Sequence, residues 1–582
     1  METIKLKIDG IEVECPKGST ILAAARLANI EIPTLCFLKD INEIGACRIC
    51  VVELSNGRVV TSCVYPAEDG MEVYTRSPRI LEYRKKTLQL LLSNHRRECL
   101  SCVRSGHCEL QELCQQMGVD DEAKYDGVKT PSTLDDSAPH MVRDNSKCIL
   151  CRRCVAVCEK NQAVGVIGAN ERGFRTFIGS AFEMGLGDTS CINCGQCINV
   201  CPTGALYEKD FTDEVFAAIN DPEKYVVVQT APAVRASLGE AFGLPIGTDV
   251  EGKMAAALRR LGFDKVFDTN FSADLTIMEE GTEFIQRVQN GGKLPLITSC
   301  SPGWINYCEH YYPEFLDNLS SCKSPQQMFG AITKSYFAEK MGIDKEKIVC
   351  VSIMPCTAKK GELKRDDQAG AGLPDVDFSL TTRELARMIK KARINFLDLP
   401  DEGFDDPLGE GTGAAVIFGA TGGVMEAALR TVYEILEKKP LGDINLTAVR
   451  GTEGIKEATV KVAGIDVKVA VASGTANAKI LLDRVKAGEQ FHFIEIMGCP
   501  GGCVNGGGQI QQPGYVRNNV DIRALRAKAL YENDANRPLR KSHENPEVQK
   551  LYKEYLGEPG SHKAHELLHT TYKAHKINEF KF

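Results

Sequence analysis

The spacing of apolar positions changes character twice along the chain. At the start, residues 4–8 alternate apolar with polar, Asp9-Gly10 makes a tight turn, and 11–13 alternate again, the period of a half-buried β-hairpin. Ser19 or Thr20 is placed to cap a helix through 21–25, whose residues favour that state. A loop over 35–50 follows, and then a helix over 81–93 that delivers His95 at its end. Residues 120–144 are polar, proline-bearing and without period, and are expected to be a linker. From Val226 onward β-branched runs alternate with helical patterns. Strands are expected at 226–229, 294–298, 348–353, 414–418, 467–472 and 493–497, which predicts an α/β body around central strands. After Pro513 the chain is charged and helical, with helices expected at 521–533 and 546–556.

Composition narrows the class. The 582 residues, 43% hydrophobic and 25% charged, suggest roughly three to five domains and exclude a disordered or collagen-like chain. A net charge of −8 argues against a nucleic-acid partner. No apolar run reaches the roughly 20 residues of a membrane span, and Met1-Glu2-Thr3-Ile4-Lys5 lacks the features of a signal peptide. A cytoplasmic setting is therefore expected, where clustered thiols bind metal rather than pair as disulfides.

Clustered thiols are what the front of this chain carries. Seventeen of its 24 cysteines precede residue 202. Cys148, Cys151, Cys154 and Cys158 repeat the spacing C-x2-C-x2-C-x3-C of Cys191, Cys194, Cys197 and Cys201. That is the two-cubane bacterial ferredoxin pattern, in which the fourth cysteine serves the other cluster. Cys148, Cys151, Cys154 and Cys201 are thus assigned to one 4Fe–4S centre, and Cys191, Cys194, Cys197 and Cys158 to the other. A pair of zinc sites is the bland alternative, but zinc uses separated cysteine pairs. Cys36, Cys47, Cys50 and Cys63 follow C-x10-C-x2-C-x12-C, a loop closed by one distant cysteine. This fits a 2Fe–2S centre, with a zinc ribbon as the alternative. His95, Cys99, Cys102 and Cys108 read H-x3-C-x2-C-x5-C; imidazole can replace thiolate on iron, and Cys114 competes with His95 for the fourth place.

The body supplies the resemblance. Thr298-Ser299-Cys300-Ser301-Pro302-Gly303-Trp304, Met354-Pro355-Cys356-Thr357-Ala358-Lys359-Lys360-Gly361-Glu362, and the run from Glu495 through Met497-Gly498-Cys499-Pro500-Gly501-Gly502-Cys503 to Gly508 resemble, in order, the three signatures of the FeFe-hydrogenase catalytic subunit. The type resembled is that of multi-subunit NAD(P)-linked enzymes. The first two modules also resemble the start of the large electron-transfer subunit of respiratory complex I, which favours His95 over Cys114. The implied fold is multidomain α+β and α/β. A β-grasp-like 2Fe–2S ferredoxin domain spans 1–78, a His/Cys3 4Fe–4S domain 79–120 and a two-cubane ferredoxin domain 138–210. A hydrogenase body over 211–515 and a small-subunit-like helical tail over 516–582 complete it.

The resemblance further implies that Cys300, Cys356, Cys499 and Cys503 bind a cubane joined to a di-iron unit with CO, cyanide and a bridging dithiolate, the H-cluster. Cys503 would bridge the two parts, Lys359 would bond a cyanide, and Pro232, Ser324, Gln326, Met354 and Met497 would line the pocket. Glycines around Cys499 and Cys503 would let backbone approach the group. The family's first signature has two adjacent cysteines, the first relaying protons and the second ligating the cubane. Here the pair is Cys300-Ser301. A strict match makes Ser301 the ligand, but thiolate suits iron–sulfur clusters better than hydroxyl. The expectation is that Cys300 ligates and Ser301 serves the relay.

Glu280 and Glu283 can share a helix face, ordinarily a solvated one. By resemblance they form, with Ser320 and Arg287, a proton path. Cys15, Cys114, Cys308, Cys322 and Cys350 are read as buried small hydrophobes. The expected activity is H2 ⇌ 2H+ + 2e−, with H2 and protons as substrates. An iron–sulfur carrier, an assembly factor or a hydrogen sensor are the alternatives. Gly409, Gly411 and Gly413 do not spell G-x-G-x-x-G. A flavin/NAD(P)-binding iron–sulfur subunit, a small 2Fe–2S subunit and ferredoxin are the partners implied.

Overall fold

The computed structural model describes residues 2–120, 124–125, 127–130 and 132–575. The opening alternation becomes the hairpin Thr3–Ile8 and Ile11–Pro16, paired from Thr3↔Pro16 to Ile8↔Ile11. It joins a five-stranded sheet through a parallel contact with Glu72–Tyr74. Thr20, not Ser19, caps the helix Ile21–Leu27, its hydroxyl accepting from the Ala23 amide. The helix Pro78–Asn94 starts at a Ser77 cap with proline in its first turn and stops at His95.

Residues 120–144 are not the plain linker expected. Positions 121–123, 126 and 131 lie outside the described residues, but Leu134–Asp135 and Met141–Asp144 are strands. With Leu206–Glu208 they form a three-stranded sheet. These strands are too short to show a period, and they bury charge beside the apolar Met141: Arg143 pairs with Asp135 at 2.8 Å.

The body holds two four-stranded sheets. Lys265–Asp268, Tyr225–Thr230, Ile348–Met354 and Phe378–Thr381 lie parallel in that order. Leu296–Ile297, Phe493–Met497, Ile465–Ser473 and Ile455–Val462 form the second, only the last running antiparallel. The strand expected at 294–298 keeps just two residues. The one expected at 414–418 is helical, Gly413–Val416 running into a 3-10 turn, Ile417–Gly419. Every residue there is buried, and an apolar run buried on all sides has no period to separate helix from strand.

The tail forms helices Ile522–Asn536, capped by Asp521, Pro546–Leu551, capped by Asn545, and His562–Leu568. Buried ion pairs fasten it to the body: Arg430 holds Asp534 at 2.9 Å and Arg526 holds Glu240 at 2.6 Å. Arg153 and Glu109, bonded at 2.7 and 3.0 Å, join the second and third modules.

Gly506, Gly507 and Gly508 bring chain against chain. A Cβ on Gly506 would lie 2.0 Å from the Pro355 carbonyl, one on Gly507 2.2 Å from the Cys194 carbonyl, and one on Gly508 3.0 Å from the Cys356 nitrogen. These three glycines thus press the third signature onto the second and onto the ferredoxin module, a role beyond the approach to an inorganic group expected from sequence. Gly507→Ala is expected to cost about 1–3 kcal/mol by overpacking, read as a lowered melting temperature of the anaerobic holoprotein. Gly442→Ala, with nothing within 4 Å of its Cβ, should leave the melt unchanged.

Candidate metal centres

The four thiols of the first module converge. Cys50 Sγ lies 3.2 Å from Cys63 Sγ. Hydrogen bonding from Cys36 holds the Cys47 thiol down at about 6, while Cys36 and Cys63 are pushed up, first by those same sulfur contacts and then by burial. Asn42, buried in the wrapping loop, donates to the Cys36 carbonyl at 2.7 Å and to the Cys151 carbonyl at 3.0 Å. It ties this centre to the ferredoxin module.

His95 is buried at its helix end. Burial, with Lys147 next, pushes its imidazole down to about 4, and its Nδ1 has no partner. A neutral ring with a bare nitrogen is the ligating form. Cys99 and Cys102 flank a 3-10 turn and Cys108 caps the helix Glu109–Gln116. Cys114 lies inside that helix among Leu110 and Leu113, its thiol raised to about 11, mainly by burial. The set abuts the ferredoxin module: a Cβ on Gly204 would lie 2.5 Å from Cys102 Sγ, and Cys108 Sγ is 3.6 Å from the Pro202 carbonyl.

Within the ferredoxin module the sulfurs group in the crossed sense. Burial raises Cys148 and Cys191 to about 12. The neighbouring thiol that acts on Cys148 is Cys201, and the one that acts on Cys191 is Cys158. Burial raises Cys154, and after it Cys151, Cys148 and Cys201 act before Cys197; burial raises Cys194, and after it Cys197 and then Cys499 of the body. The second thiol group thus neighbours both the first group and the third signature. Arg143 Nε and Nη1 and Gln162 Nε2 are buried without partners in the cavity lined by Cys154, Cys158, Cys191, Cys194 and Cys197. Orphaned donors facing soft thiol ligands fit an iron–sulfur cluster, whose sulfurs accept hydrogen bonds.

In the body, Cys300, Cys356 and Cys499 stand just beyond the carboxyl ends of Leu296–Ile297, Ile348–Met354 and Phe493–Met497, where α/β sheets place their ligands. Cys503 begins a 3-10 turn. These four line one cavity with Pro232, Ser301, Gln326, Met354, Lys359 and Met497. Ser324 does not line it. Cys356 and Cys503 act on Cys499, and Cys356 acts on Cys503, which burial raises to about 12. Cys300 differs: after burial, the group that acts on it most is Glu280, then Cys503 and Glu495. Ser301 Oγ accepts from the Gly498 amide at 3.0 Å, one residue from Cys499.

Glu362, the last residue of the second signature, was assigned no role from sequence. Its Oε2 accepts from Lys359 Nζ at 3.0 Å, Ser324 Oγ at 3.0 Å and Gln326 Nε2 at 2.9 Å, so three residues expected at the pocket converge on it. The i,i+3 spacing from Lys359 was the available signal.

Glu280 is buried on the helix Asn270–Asn290. Burial, then Glu283, raises it to about 8, with Ser320 opposing. Glu283 Oε2 accepts from Ser320 Oγ at 3.1 Å and Ser321 Oγ at 3.2 Å, and Oε1 from Arg287 at 2.5 Å. Ser321 Oγ also meets His569 Nδ1 at 2.8 Å, and His569 Nε2 meets Glu279 at 3.1 Å. Ser321 and His569 were missed, for no local pattern links positions 248 apart. Cys15, Cys114, Cys308, Cys322 and Cys350 are all buried.

Five family profiles match the chain. They are a 2Fe–2S iron–sulfur cluster binding domain over 1–78, the NADH-ubiquinone oxidoreductase-G iron–sulfur binding region over 84–123, and a 4Fe–4S dicluster domain over 147–205. The C-terminal domain of the iron only hydrogenase large subunit matches 224–507, and the iron hydrogenase small subunit matches 520–575. The NADP-reducing hydrogenase subunit HndD of Solidesulfovibrio fructosivorans is 51% identical over 584 residues, 98% of this chain and 99% of that protein. Iron hydrogenase 1 of Clostridium pasteurianum is 45% identical over 97% of this chain and 99% of its own length. A solved FeFe-hydrogenase from Chlamydomonas reinhardtii is 44% identical, covering 63% of this chain and 99% of its own, with a TM-score of 0.56.

The crossed grouping predicts a pairing of phenotypes. Cys158→Ala should remove the same paramagnetic resonance signal as Cys194→Ala, and Cys201→Ala the same as Cys151→Ala. Iron content should fall by about four atoms each time.

Proposed function

This chain belongs to the FeFe-hydrogenases and is a hydrogenase catalytic subunit; on that premise we propose which of its residues hold each group and move each proton. The Cys36 set holds one 2Fe–2S cluster, and the His95, Cys148/Cys201 and Cys191/Cys158 sets hold three 4Fe–4S clusters. The cavity between the two sheets holds the H-cluster. The observation that carries this reading is the convergence of Cys356, Cys499 and Cys503 with Cys300, Ser301 and Lys359 on one cavity, in contact with the ferredoxin module through Gly507.

When bound, the di-iron group supplies the polarisation that splits H2 heterolytically. The chain does the rest. Glu362 holds the Lys359 side chain, which would donate to a cyanide of the bound group. Pro232, Met354 and Met497 keep water out. After burial, Glu280 is the group that acts most on Cys300, while Ser301 bonds the amide next to Cys499. This supports the strict positional match over the expectation from ligand softness: Cys300 would pass the proton and Ser301 would supply the cubane's fourth protein ligand. Ser320 lies between Glu280 and Glu283. Arg287 stays charged, so it fixes Glu283 and does not relay.

HndD is named as a subunit of an NADP-reducing hydrogenase, which supports a flavin/NAD(P)-binding iron–sulfur subunit and a small 2Fe–2S subunit as partners, with ferredoxin as a further carrier. No described helix is long and apolar enough to cross a membrane, in keeping with work in the cytoplasm.

Infrared spectra of the anaerobically matured protein test the reading: sharp CO and cyanide bands with about 20 iron atoms per chain are expected. About 18 atoms without those bands would mark a carrier. Ser301→Cys should keep the bands and shift the potential of the active-site cubane, whereas a Ser301 with no place at the cubane would leave that potential alone. Because Glu280 is raised to about 8, it is protonated at pH 7 and loses its proton as pH climbs through 8. Hydrogen evolution should therefore fall between pH 7 and 9. Glu280→Gln should lower turnover about 100-fold or more across that range, the scale of a lost acid–base group, with the infrared bands intact.

A further inference from the structure

His140 lies just before the strand Met141–Asp144, and no cluster motif includes it. Its side chain is completely buried, and neither ring nitrogen has a partner. It lines the cavity walled by Cys158, Cys191, Cys194 and Cys197. An imidazole carries at least one N–H in either protonation state. A buried donor left without an acceptor is costly, and the described residues offer this one none.

We propose that His140 donates its ring N–H to a sulfur of the cubane held by Cys158, Cys191, Cys194 and Cys197, raising that cluster's potential. The inference rests on the cluster assignment proposed above. Its consequence is directional. Cys194 is the ferredoxin thiol that feels Cys499, and its carbonyl packs on Gly507, so this cubane is the electron's neighbour to the active site. Reduction adds negative charge, which a hydrogen-bond donor stabilises. A more oxidising neighbour pulls electrons away from the site and favours H2 oxidation over evolution. Met141, the next residue, has its sulfur 3.7 Å from Cys197 Sγ, so the segment that carries His140 is in contact with the thiol set.

The test is a redox titration of the matured, full-length enzyme followed by paramagnetic resonance. His140→Phe keeps a planar ring and removes the donor; His140→Gln keeps a donor. In the Phe variant the reduction equilibrium of this one cubane should move about tenfold toward the oxidised form, 59 mV for one electron. The other cubanes should be unmoved, the ratio of H2 oxidation to evolution should fall, and the Gln variant should recover most of both. An intact signal at an unshifted potential in the Phe variant overturns the proposal. A second measurement needs no substitution: with 15N-histidine, the reduced cubane should show an imidazole nitrogen coupling separate from that of the His95 cluster, and its absence overturns the proposal. A wild-type enzyme without that cubane's signal would instead overturn the cluster assignment and, with it, the role of His140.

Discussion

Burial of sulfur is the constraint on which the rest of this structure depends. Cys148, Cys191 and Cys503 are pushed to about 12 by desolvation, and a thiolate at such depth is stable only where a cation answers it. Iron can give that answer without admitting water. The cations near these thiols each carry a carboxylate partner as well: Arg153 has Glu109, Lys359 has Glu362, Arg143 has Asp135. Each of these pairs keeps a permanent charge near a cluster site fixed in place, so the electrostatic setting of the metal varies little.

How much of this could be read in the sequence follows from the range of each interaction. Cluster ligands repeat at spacings of a few residues because one loop must wrap one cluster, so Cys148 through Cys158 declare themselves. Capped helices such as Pro78–Asn94 are local for the same reason. The helix Gly413–Val416 reads as a strand because it is buried on every side, and the strands Leu134–Asp135 and Met141–Asp144 escape notice because two and four residues are too few to show a period. His569 and Ser321, and the orphaned ring of His140, depend on segments that meet only in the folded chain. The Cys300-Ser301 pair is a subtler case: residue chemistry favoured one orientation, while the neighbourhood of Glu280 and Gly498 favours the other.

The tail illustrates how an appended segment becomes part of a core. Asp534 accepts from Arg430 and Arg540, and Glu240 of the body is claimed by Arg526. Leaving either partner alone in the interior would cost several kcal/mol. His569 sits on the same segment, so the tail also supplies a partner to Ser321, which bonds Glu283.

Asn42 and Gly204 give the front of the molecule its topology. One sets the Cys36 set against Cys151; the other sets Cys102 against the loop after Cys201. Both thiol sets abut the Cys148/Cys201 set, and Cys36 and Cys47 also share a packed cluster with Cys108. Under the cluster assignment proposed above, the Cys148/Cys201 set would be a neighbour common to both, so carriers of different potential would have one route in common, as tributaries share a channel.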